Sequence, residues 1–337
     1  MLKREGVDVC AAFIDTKGEA SQIQVGELPT PDYGPNDVLV RVEYSAVNNV
    51  DLFVRSGAWE AHTPFPFVIG RNVVGIVEAV GEGVCEFSPG DAVWSNSAGY
   101  DGRQGAFTEL VSLPQERVFA RATQDASGKE IPAQTYAALS RAFSTAHLGI
   151  SRLGGFTPGS TVFIGGVAGG AGSTLAQYAV ASGVRVIGSA SPRDFDWVHS
   201  LGVDEVLDYH RNDLADALAQ VAPEGFDIWW DNSGTNDFSL ALPLMAFGGK
   251  IALLSGMNSD ISFPAGALYT RDLQVRGFAM PGATADDLAD TVSTLNKFLG
   301  WGNLQVRIGE IFDLADARTA HEAQEAGSLR GKIAVKI

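Results

Sequence analysis

The sequence predicts a β-rich domain interrupted by an α/β domain with a parallel sheet, after which the chain returns to the first domain. Short strands separated by Gly or Pro turns dominate the first 120 residues. From about residue 131 onward, continuously apolar strands alternate with helices, a pattern typical of a parallel sheet covered on both faces. Glycine accounts for 39 of 337 residues without a three-residue period, which indicates many tight turns and excludes collagen.

The β-rich part is predicted from alternating segments bounded by turns. In residues 38–47, Val38, Val40 and Val42 share one face while Arg41 and Glu43 lie on the other, as in a half-buried strand. Further strands are predicted at 73–80, 91–94, 107–111 and 117–119. Near the end of the chain the pattern predicts a helix at 286–299, a strand at 305–308, a helix at 314–325 and a strand at 331–337.

The α/β part begins with residues 134–148, which lack Gly and Pro and predict a long helix. Strands are predicted at 161–165, 184–188, 205–208, 226–230, 250–255 and 273–278. The helices expected between them span 173–182, 195–201, 212–221 and 238–245.

Composition limits the class of partner. Lys and Arg total 24 against 40 Asp and Glu, and the net charge of −16 disfavours nucleic acid and anionic lipid. Cys10 and Cys85 are too few for a disulfide framework or a four-cysteine zinc site. The first fifteen residues lack the apolar core of a signal peptide, and no apolar run reaches the ~18 residues of a membrane span. We therefore expect a cytoplasmic protein with a small-molecule partner and no membrane partner.

The most informative local motif is the glycine-rich run from Gly165 to Gly172, between a predicted strand and a predicted helix. Glycines permit the sharp turn and a close approach of a pyrophosphate, to which the start of the helix offers free N–H groups. The run therefore predicts a dinucleotide site, although a tight packing turn without ligand has the same pattern. A Walker-type phosphate loop is excluded because no Gly-Lys-Ser/Thr follows. The candidate binding residues are Gly166, Ala168, Gly169, Gly170, Ala171 and Gly172.

The end of the second α/β strand favours NADPH over NADH. Ser189, Ser191 and Arg193 stand where an NAD site usually has a carboxylate for the ribose hydroxyls, and they suit a 2′-phosphate. Asp194 and Asp196 follow and are assigned to the next helix, but either is the ribose carboxylate if the strand ends a few residues later. Arg193 at a solvated helix start is the alternative without a ligand.

These motifs resemble the medium-chain dehydrogenase/reductase superfamily, and within it the zinc-free quinone oxidoreductase and enoyl reductase branch. The likeness runs nearly from end to end, through residues 38–51, 66–81, 89–93, 166–172, 231–234, 247–250 and 330–332. It implies a Rossmann doubly wound parallel sheet inserted in a GroES-like β-rich catalytic domain. The implied domains are residues 1–128 (catalytic), 129–268 (NADP-binding) and 269–337, which return to the catalytic domain.

The resemblance also implies hydride transfer from the nicotinamide to a quinone, an enone or another activated double bond. It adds Thr145, Tyr209, Asn232 and Ser255 to the expected cofactor-binding residues. It further implies a homodimer, formed through an edge strand at 251–254 or 273–278. The alternatives are a specialised biosynthetic enoyl or imine-type reductase and a non-catalytic nucleotide-binding protein of the same fold.

This chain departs from its relatives at several catalytic positions. Where the zinc branch has its metal ligands stand Asn48, Arg71 and Asn72, and an arginine does not ligate zinc, so no metal is expected. Phe53 and Trp59 replace tyrosines of the quinone and enoyl reductases, which leaves the proton donor unassigned.

Two catalytic positions keep two interpretations each. Arg71 either anchors a substrate oxygen or pairs with Asp51 or Glu109 to hold strands together. Asn48 either contacts the nicotinamide or a substrate oxygen or braces the backbone. The loop at 95–105, which carries Tyr100, either rims the cleft or is a solvated loop.

Overall fold

The computed structural model describes residues 8–337, and its contacts group into two compact units. The split unit comprises the chain up to Arg141 together with Thr284–Ile337, and the inserted unit is Ala142–Ala283. The predicted fold class, an α/β unit inserted in a β-rich one, is confirmed. The predicted domain limits, at 128/129 and 268/269, stay a prediction, because the contact grouping divides one continuous helix at 141/142.

Strands and helices are numbered in chain order. The strands are β1 (Asp8–Ile14), β2 (Gln24–Pro29), β3 (Asp37–Val47), β4 (Phe67–Val68), β5 (Val73–Val80), β6 (Ala92–Ser95), β7 (Leu110–Pro114), β8 (Phe119–Ala120), β9 (Thr161–Gly165), β10 (Arg185–Ala190), β11 (Glu205–Asp208), β12 (Phe226–Asp231), β13 (Met245–Leu253), β14 (Gln274–Gly277), β15 (Ile308–Asp313) and β16 (Lys332–Lys336). The helices are α1 (Asn49–Ser56), α2 (Ala133–Arg152), α3 (Gly170–Ala181), α4 (Phe195–Ser200), α5 (Leu214–Val221), α6 (Phe238–Leu244), α7 (Ala265–Tyr269), α8 (Ala285–Gly300) and α9 (Ala317–Ala326). Within residues 8–337, no helix is both long and apolar enough to cross a membrane.

The split unit contains a sheet in the order β15-β16-β3-β5-β6-β8, with β7 also paired to β3, and a smaller sheet β2-β1-β4. The predicted return of the chain is seen in β16, which pairs antiparallel with β3 so that Ile333 lies opposite Val47. The valines predicted to face inward on β3 are buried, as expected for a half-buried strand. Strand β15 begins at Ile308, later than the predicted strand at 305–308, where its register with β16 starts.

Helix α1 was not predicted from the sequence, because eight residues are too few to show a helical period against the surrounding strands. It begins where the Asp51 carboxylate accepts a hydrogen bond from the Asn48 N–H at 2.7 Å. It ends at Gly57, whose φ of 86° suits glycine.

The inserted unit is a six-stranded parallel sheet in the order β11-β10-β9-β12-β13-β14. The order reverses between β9 and β12, so the carboxyl ends of these strands form the switch point at which ligands bind in such sheets. Strand β13 begins at Met245, five residues before the predicted strand at 250–255, because Phe226 already pairs with Met245 ahead of a register shift.

His321 on α9 is a fully buried ionisable group in the apolar part of the split unit. Its ring meets Phe107 edge-on at 5.8 Å between centroids, and within residues 8–337 neither ring nitrogen has a hydrogen-bond partner. Burial, and secondarily the charge of Arg55, lowers the pKa of His321 from 6.5 to about 3. The folded protein therefore holds this imidazole neutral.

We expect His321 to make the split unit sensitive to acid. The unfolded chain binds the proton near pH 6.5 and the folded protein only near pH 3, so stability falls as the pH drops through this window. Between pH 7 and 5 the contribution is about 2 kcal/mol. His321→Leu should flatten the dependence of the free energy of unfolding on pH, measured by urea denaturation. His210→Gln, at an exposed site, is the matched control, and parallel pH profiles for the wild type and His321→Leu would contradict the assignment.

Candidate functional site

The glycine-rich turn of the inserted unit is built so that side chains would obstruct it. Gly166 has a φ of +66°, a left-handed conformation that favours glycine. A Cβ on Gly172 would lie 2.5 Å from the Gly166 carbonyl oxygen, and one on Gly188 would lie 2.5 Å from Val167 Cγ1. Helix α3 begins directly after Gly169, so the free N–H groups of its first turn lie beside this close-packed backbone. This geometry fits a pyrophosphate at the start of the helix.

The sheet brings the other predicted cofactor residues to the same edge. Gly165 at the end of β9 pairs with Ser189 on β10 and with Asp231 on β12. Ala190 pairs with Asp208, so the residues after β10 and β11 begin side by side. These residues are Ser191 with Arg193 after β10, and Tyr209 after β11.

These side chains form an open polar corner. The side chain of Arg193 is 62% exposed and lies 3.7 Å from the Asp194 carboxylate. Tyr209 is 47% exposed, and its ring lies tilted against that of His210, with 4.2 Å between the ring centroids. Asp194 itself is buried in a short turn before α4, which begins at Phe195. The corner therefore presents hydroxyl groups and a cation beside one carboxylate that is already buried.

Asn232 and Ser255 brace the switch point with their side chains. Asn232 Nδ2 donates to the Gly165 carbonyl at 2.9 Å, and Asn232 Oδ1 accepts from Trp230 Nε1 at 3.0 Å. Ser255 Oγ donates to the Asp231 carbonyl at 3.1 Å. Thr145 lies half-buried on α2. The amide of Asn232 thus fixes the end of β9, from which the glycine turn starts.

The split unit holds a buried polar cluster around Asn48. Asn48 Nδ2 donates to Asp51 Oδ2 at 3.1 Å and to Asn72 Oδ1 at 3.4 Å, and Asn48 Oδ1 accepts from Lys332 Nζ at 2.9 Å. Asn72 Nδ2 in turn donates to the Ala137 carbonyl at 2.8 Å and to a hydroxyl on α2 at 3.1 Å. The two amides therefore link β3, β5 and α2, which agrees with the bracing interpretation of Asn48.

Charges in this cluster shift one another's proton affinities. Burial raises the pKa of the Asp51 carboxyl, and the positive charges of Arg71 and Arg141 oppose that rise. Burial lowers the pKa of Lys332 from 10.5 to about 8, opposed by Asp51. Asp51 thus sits among three basic side chains, and its negative charge moderates the cost of burying them.

Arg71 is 3% exposed and is clamped to the loop at 95–105. Its Nη1 donates to the carbonyls of Ala98 at 3.3 Å and Gly99 at 3.0 Å, and its guanidinium carbon lies 3.8 Å from the centre of the Tyr100 ring. Burial lowers the pKa of Arg71, and the nearby Tyr100 and Asp51 raise it. Both hydrogen bonds leave from Nη1, so they do not use the donors on Nε and Nη2.

The expected pairing of Arg71 with a carboxylate is only partly seen. Asp51 interacts with Arg71 through charge, whereas Glu109 accepts a hydrogen bond from the Cys10 N–H at 2.9 Å. The alternative of a merely solvated loop at 95–105 is wrong, because Ala98 is buried and the loop is bonded to Arg71.

Two residues of this cluster, Arg141 and Lys332, had no expected site role, and Tyr100 was expected only as part of a loop that either rims the cleft or is solvated. Arg141 Nη1 donates to the Tyr100 hydroxyl at 3.2 Å, so the phenol lies between two guanidinium groups. Lys332 belongs to the Arg-Gly-Lys motif at 330–332, which supports the family resemblance but does not indicate a site role. The Lys332 side chain reaches Asn48 because β16 pairs with β3. The one local signal for Tyr100 was its place in a Gly-rich loop near the motif residues.

Phe53 and Trp59, which stand at the family's tyrosine positions, have different surroundings. Phe53 lies on α1 and is 39% exposed. Trp59 is half-buried against the apolar cluster that contains Ile14, Val54 and Ile69. Neither carries a group that exchanges a proton near neutral pH.

A zinc ion does not fit the donor set at Asn48, Arg71 and Asn72. Zinc sites use Cys, His and carboxylate ligands, whereas here two amides are bonded to each other and a guanidinium carries its own positive charge. Within the described range, 8–337, no group of three or more His, Cys, Asp or Glu side chains is placed to hold a metal ion.

Comparison with known proteins agrees with this architecture. Residues 34–123 match the alcohol dehydrogenase GroES-like domain family, and residues 170–297 match the zinc-binding dehydrogenase family. A quinone oxidoreductase of Sus scrofa is 27% identical over 297 residues, covering 88% of this chain and 86% of that protein. A mycobacterial quinone oxidoreductase superposes with a TM-score of 0.85 at 26% identity, covering 98% of this chain and all of its own. A mycobacterial protein solved in complex with NADPH superposes with the same TM-score and identity, also over 98% of this chain.

Two family matches, relatives spanning most of the chain and a shared nested fold agree with the motifs read from the sequence. The chain belongs to the medium-chain dehydrogenase/reductase superfamily.

Proposed function

We propose that this protein is an NADPH-dependent, zinc-free reductase that transfers hydride to a quinone, an enone or another activated double bond. The observation that carries the proposal is the glycine turn at the switch point, where a Cβ on Gly172 would collide with the Gly166 carbonyl. Quinone oxidoreductases among the relatives, and a structural neighbour solved with NADPH, support it.

In this proposal the residues of the inserted unit bind and orient the cofactor. When bound, the nicotinamide supplies the hydride. The turn residues Gly166, Ala168, Gly169, Gly170, Ala171 and Gly172 hold the pyrophosphate. Ser189, Ser191, Arg193 and Tyr209 receive the 2′-phosphate, and Thr145 contributes to the nicotinamide half. Asn232 and Ser255 keep the strand ends in place through the hydrogen bonds described above.

Arg71 is the residue that we propose to hold the substrate oxygen. Its charge is fixed and buried, Nη1 donates to the loop carbonyls, and Tyr100 also hydrogen-bonds to the guanidinium. We therefore assign the substrate oxygen, which gains negative charge, to a donor on Nε or Nη2 that these contacts leave available. Asn48 serves this site as a brace, since its amide is bonded to Asp51, Asn72 and Lys332.

A specialised biosynthetic enoyl or imine-type reductase is the narrower alternative, and Arg71 favours it because a fixed cation suits an anionic or carbonyl-bearing intermediate.

We also propose that the protein forms a homodimer. In the described sheet, β14 is an outer strand, whereas β13 (which contains 251–254) is flanked by β12 and β14. The candidate edge is therefore the one at 273–278.

The central test is NADPH oxidation, followed at its absorbance maximum, with a panel of quinones and enones. We expect turnover by the wild type and at least about 10-fold weaker NADPH binding by Gly172→Val, because the added atoms enter the space of the Gly166 carbonyl. Gly266→Ala is the matched control, since nothing lies within 4 Å of the Cβ it adds. Binding of NADPH without turnover of any acceptor would reject the enzyme and favour the non-catalytic alternative.

Coenzyme preference tests the polar corner. Arg193→Ala should raise the KM for NADPH about 10-fold and leave the KM for NADH nearly unchanged, because one charge-assisted contact to the 2′-phosphate is lost. Arg41→Ala is the matched control and should change neither value, because Arg41 is an exposed arginine of the split unit that also lies beside a carboxylate, at 3.6 Å from Glu78. An equal rise in the KM for NADPH and the KM for NADH would show that Arg193 does not recognise the 2′-phosphate.

Arg71→Met tests the substrate anchor. Removing the guanidinium should raise the KM for a carbonyl acceptor about 10-fold or more, while the dissociation constant of NADPH stays the same. Circular dichroism and the melting temperature establish that the variant is folded. Unchanged acceptor kinetics in a folded variant would leave Arg71 with the loop-clamping role alone.

A further inference from the structure

We propose that Tyr100 donates the proton that completes the reduction of a conjugated carbonyl acceptor. The inference rests on the proposed reductase function and names a catalytic residue for it. Phe53 and Trp59 stand at positions where the resemblance expects tyrosines, so water or another residue must supply the proton. Tyr100 supplies an O–H group beside the arginine that we propose to hold the substrate oxygen.

The position of the phenol is set by two guanidinium groups. Arg71 lies over the ring, with its guanidinium carbon 3.8 Å from the centroid, and Arg141 Nη1 donates to the hydroxyl oxygen at 3.2 Å. Because the oxygen accepts from Arg141, its own hydrogen points to a different acceptor. The charge left on the oxygen after donation is met by Arg141 and Arg71.

The loop that carries Tyr100 is held in one conformation. Three positive φ angles occur within four residues, at Gly99 (70°), Asp101 (53°) and Gly102 (75°). The Gly99 N–H donates to the Gln104 carbonyl at 2.9 Å, and the Ala98 N–H donates to the Arg71 carbonyl at 3.1 Å. The phenol is therefore preorganised, as a proton donor must be to act within a transition state.

The other proton-bearing groups of the cluster are engaged in bracing. Lys332 Nζ donates to the backbone carbonyl of Val47 at 3.0 Å and to the side-chain oxygen Oδ1 of Asn48 at 2.9 Å. Asp51 accepts from the backbone and side chain of Asn48 and interacts with two arginines. Lys332 is the main competitor, and the test below distinguishes it from Tyr100.

In the proposed reaction, bound NADPH would supply a hydride that forms the new C–H bond at the β-carbon. The π electrons of the double bond would move to give an enolate whose oxygen is held by Arg71. The Tyr100 O–H bond breaks, its proton forms the C–H bond at the α-carbon, and the carbonyl re-forms. NADPH has been oxidised to NADP⁺, the double bond has been reduced, and the phenolate takes a proton from water.

The experiment compares wild type, Tyr100→Phe and Tyr33→Phe on two acceptors, an α-methyl cyclic enone and 1,4-benzoquinone. The phenylalanine ring keeps the surface under Arg71, while Tyr33→Phe removes a half-buried hydroxyl elsewhere in the split unit. For Tyr100→Phe we expect kcat on the enone to fall about 100-fold and kcat on the quinone less than about 3-fold. A hydroquinone anion takes its protons on oxygen from solvent, whereas an enolate must be protonated on carbon, which is slow when water alone supplies the proton.

A second measurement reads the origin of the proton directly. In D₂O the wild type should place deuterium on one face of the α-carbon, and Tyr100→Phe should give both configurations. Retained stereochemistry and rate in Tyr100→Phe would overturn the proposal, and their loss in Lys332→Met alone would assign the proton to the lysine. Equal losses on enone and quinone would assign Tyr100 to loop structure. A wild type that reduces quinones only would also overturn it, whereas no turnover of any acceptor would overturn the reductase function itself.

Discussion

The burial of the Arg71 guanidinium is the constraint on which the rest of the split unit depends. A full positive charge that is 3% exposed requires acceptors close at hand, and the carbonyls of Ala98 and Gly99 supply them. These hydrogen bonds connect the loop at 95–105 to the segment between β4 and β5, and they place Tyr100 against the guanidinium. Asp51 then counters the combined charge of Arg71, Arg141 and Lys332. A fixed organic cation thus occupies the position where the resemblance to the zinc branch would place a metal ligand.

In the inserted unit, the candidate site is formed mainly by backbone groups and not by buried charges. Its turn leaves no room for side chains at Gly172 or Gly188, which keeps the main-chain N–H groups at the start of α3 open to a ligand. Arg193 adds an exposed positive charge in the short turn after β10. In the proposed NADPH site, this arrangement would let a protein of net charge −16 hold phosphate groups mainly through its backbone.

The features that could be predicted from the sequence are those that depend on residues close together in the chain. The glycine run, the apolar strands and the long helix α2 depend on neighbouring residues, and the nested fold class follows from them. Contacts between residues far apart in the chain could not be predicted, because no local pattern around Arg71 indicates that its partners lie at residues 98–100. The same is true of Lys332 and Asn48, which meet through the β16–β3 pairing. Helix α1 was missed for the opposite reason, since eight residues carry too little local pattern.

Because β16 lies at the end of the sequence and pairs with β3, the sheet of the split unit is completed late in synthesis. Residues 284–337 leave the ribosome only after the whole inserted unit, which has its own sheet and can close first. Until β16 arrives, β3 lacks one neighbour and Asn48 lacks the lysine that fixes its amide. The nascent split unit therefore lacks part of the polar cluster around Asn48, which is completed only after the parallel sheet of the inserted unit has been made.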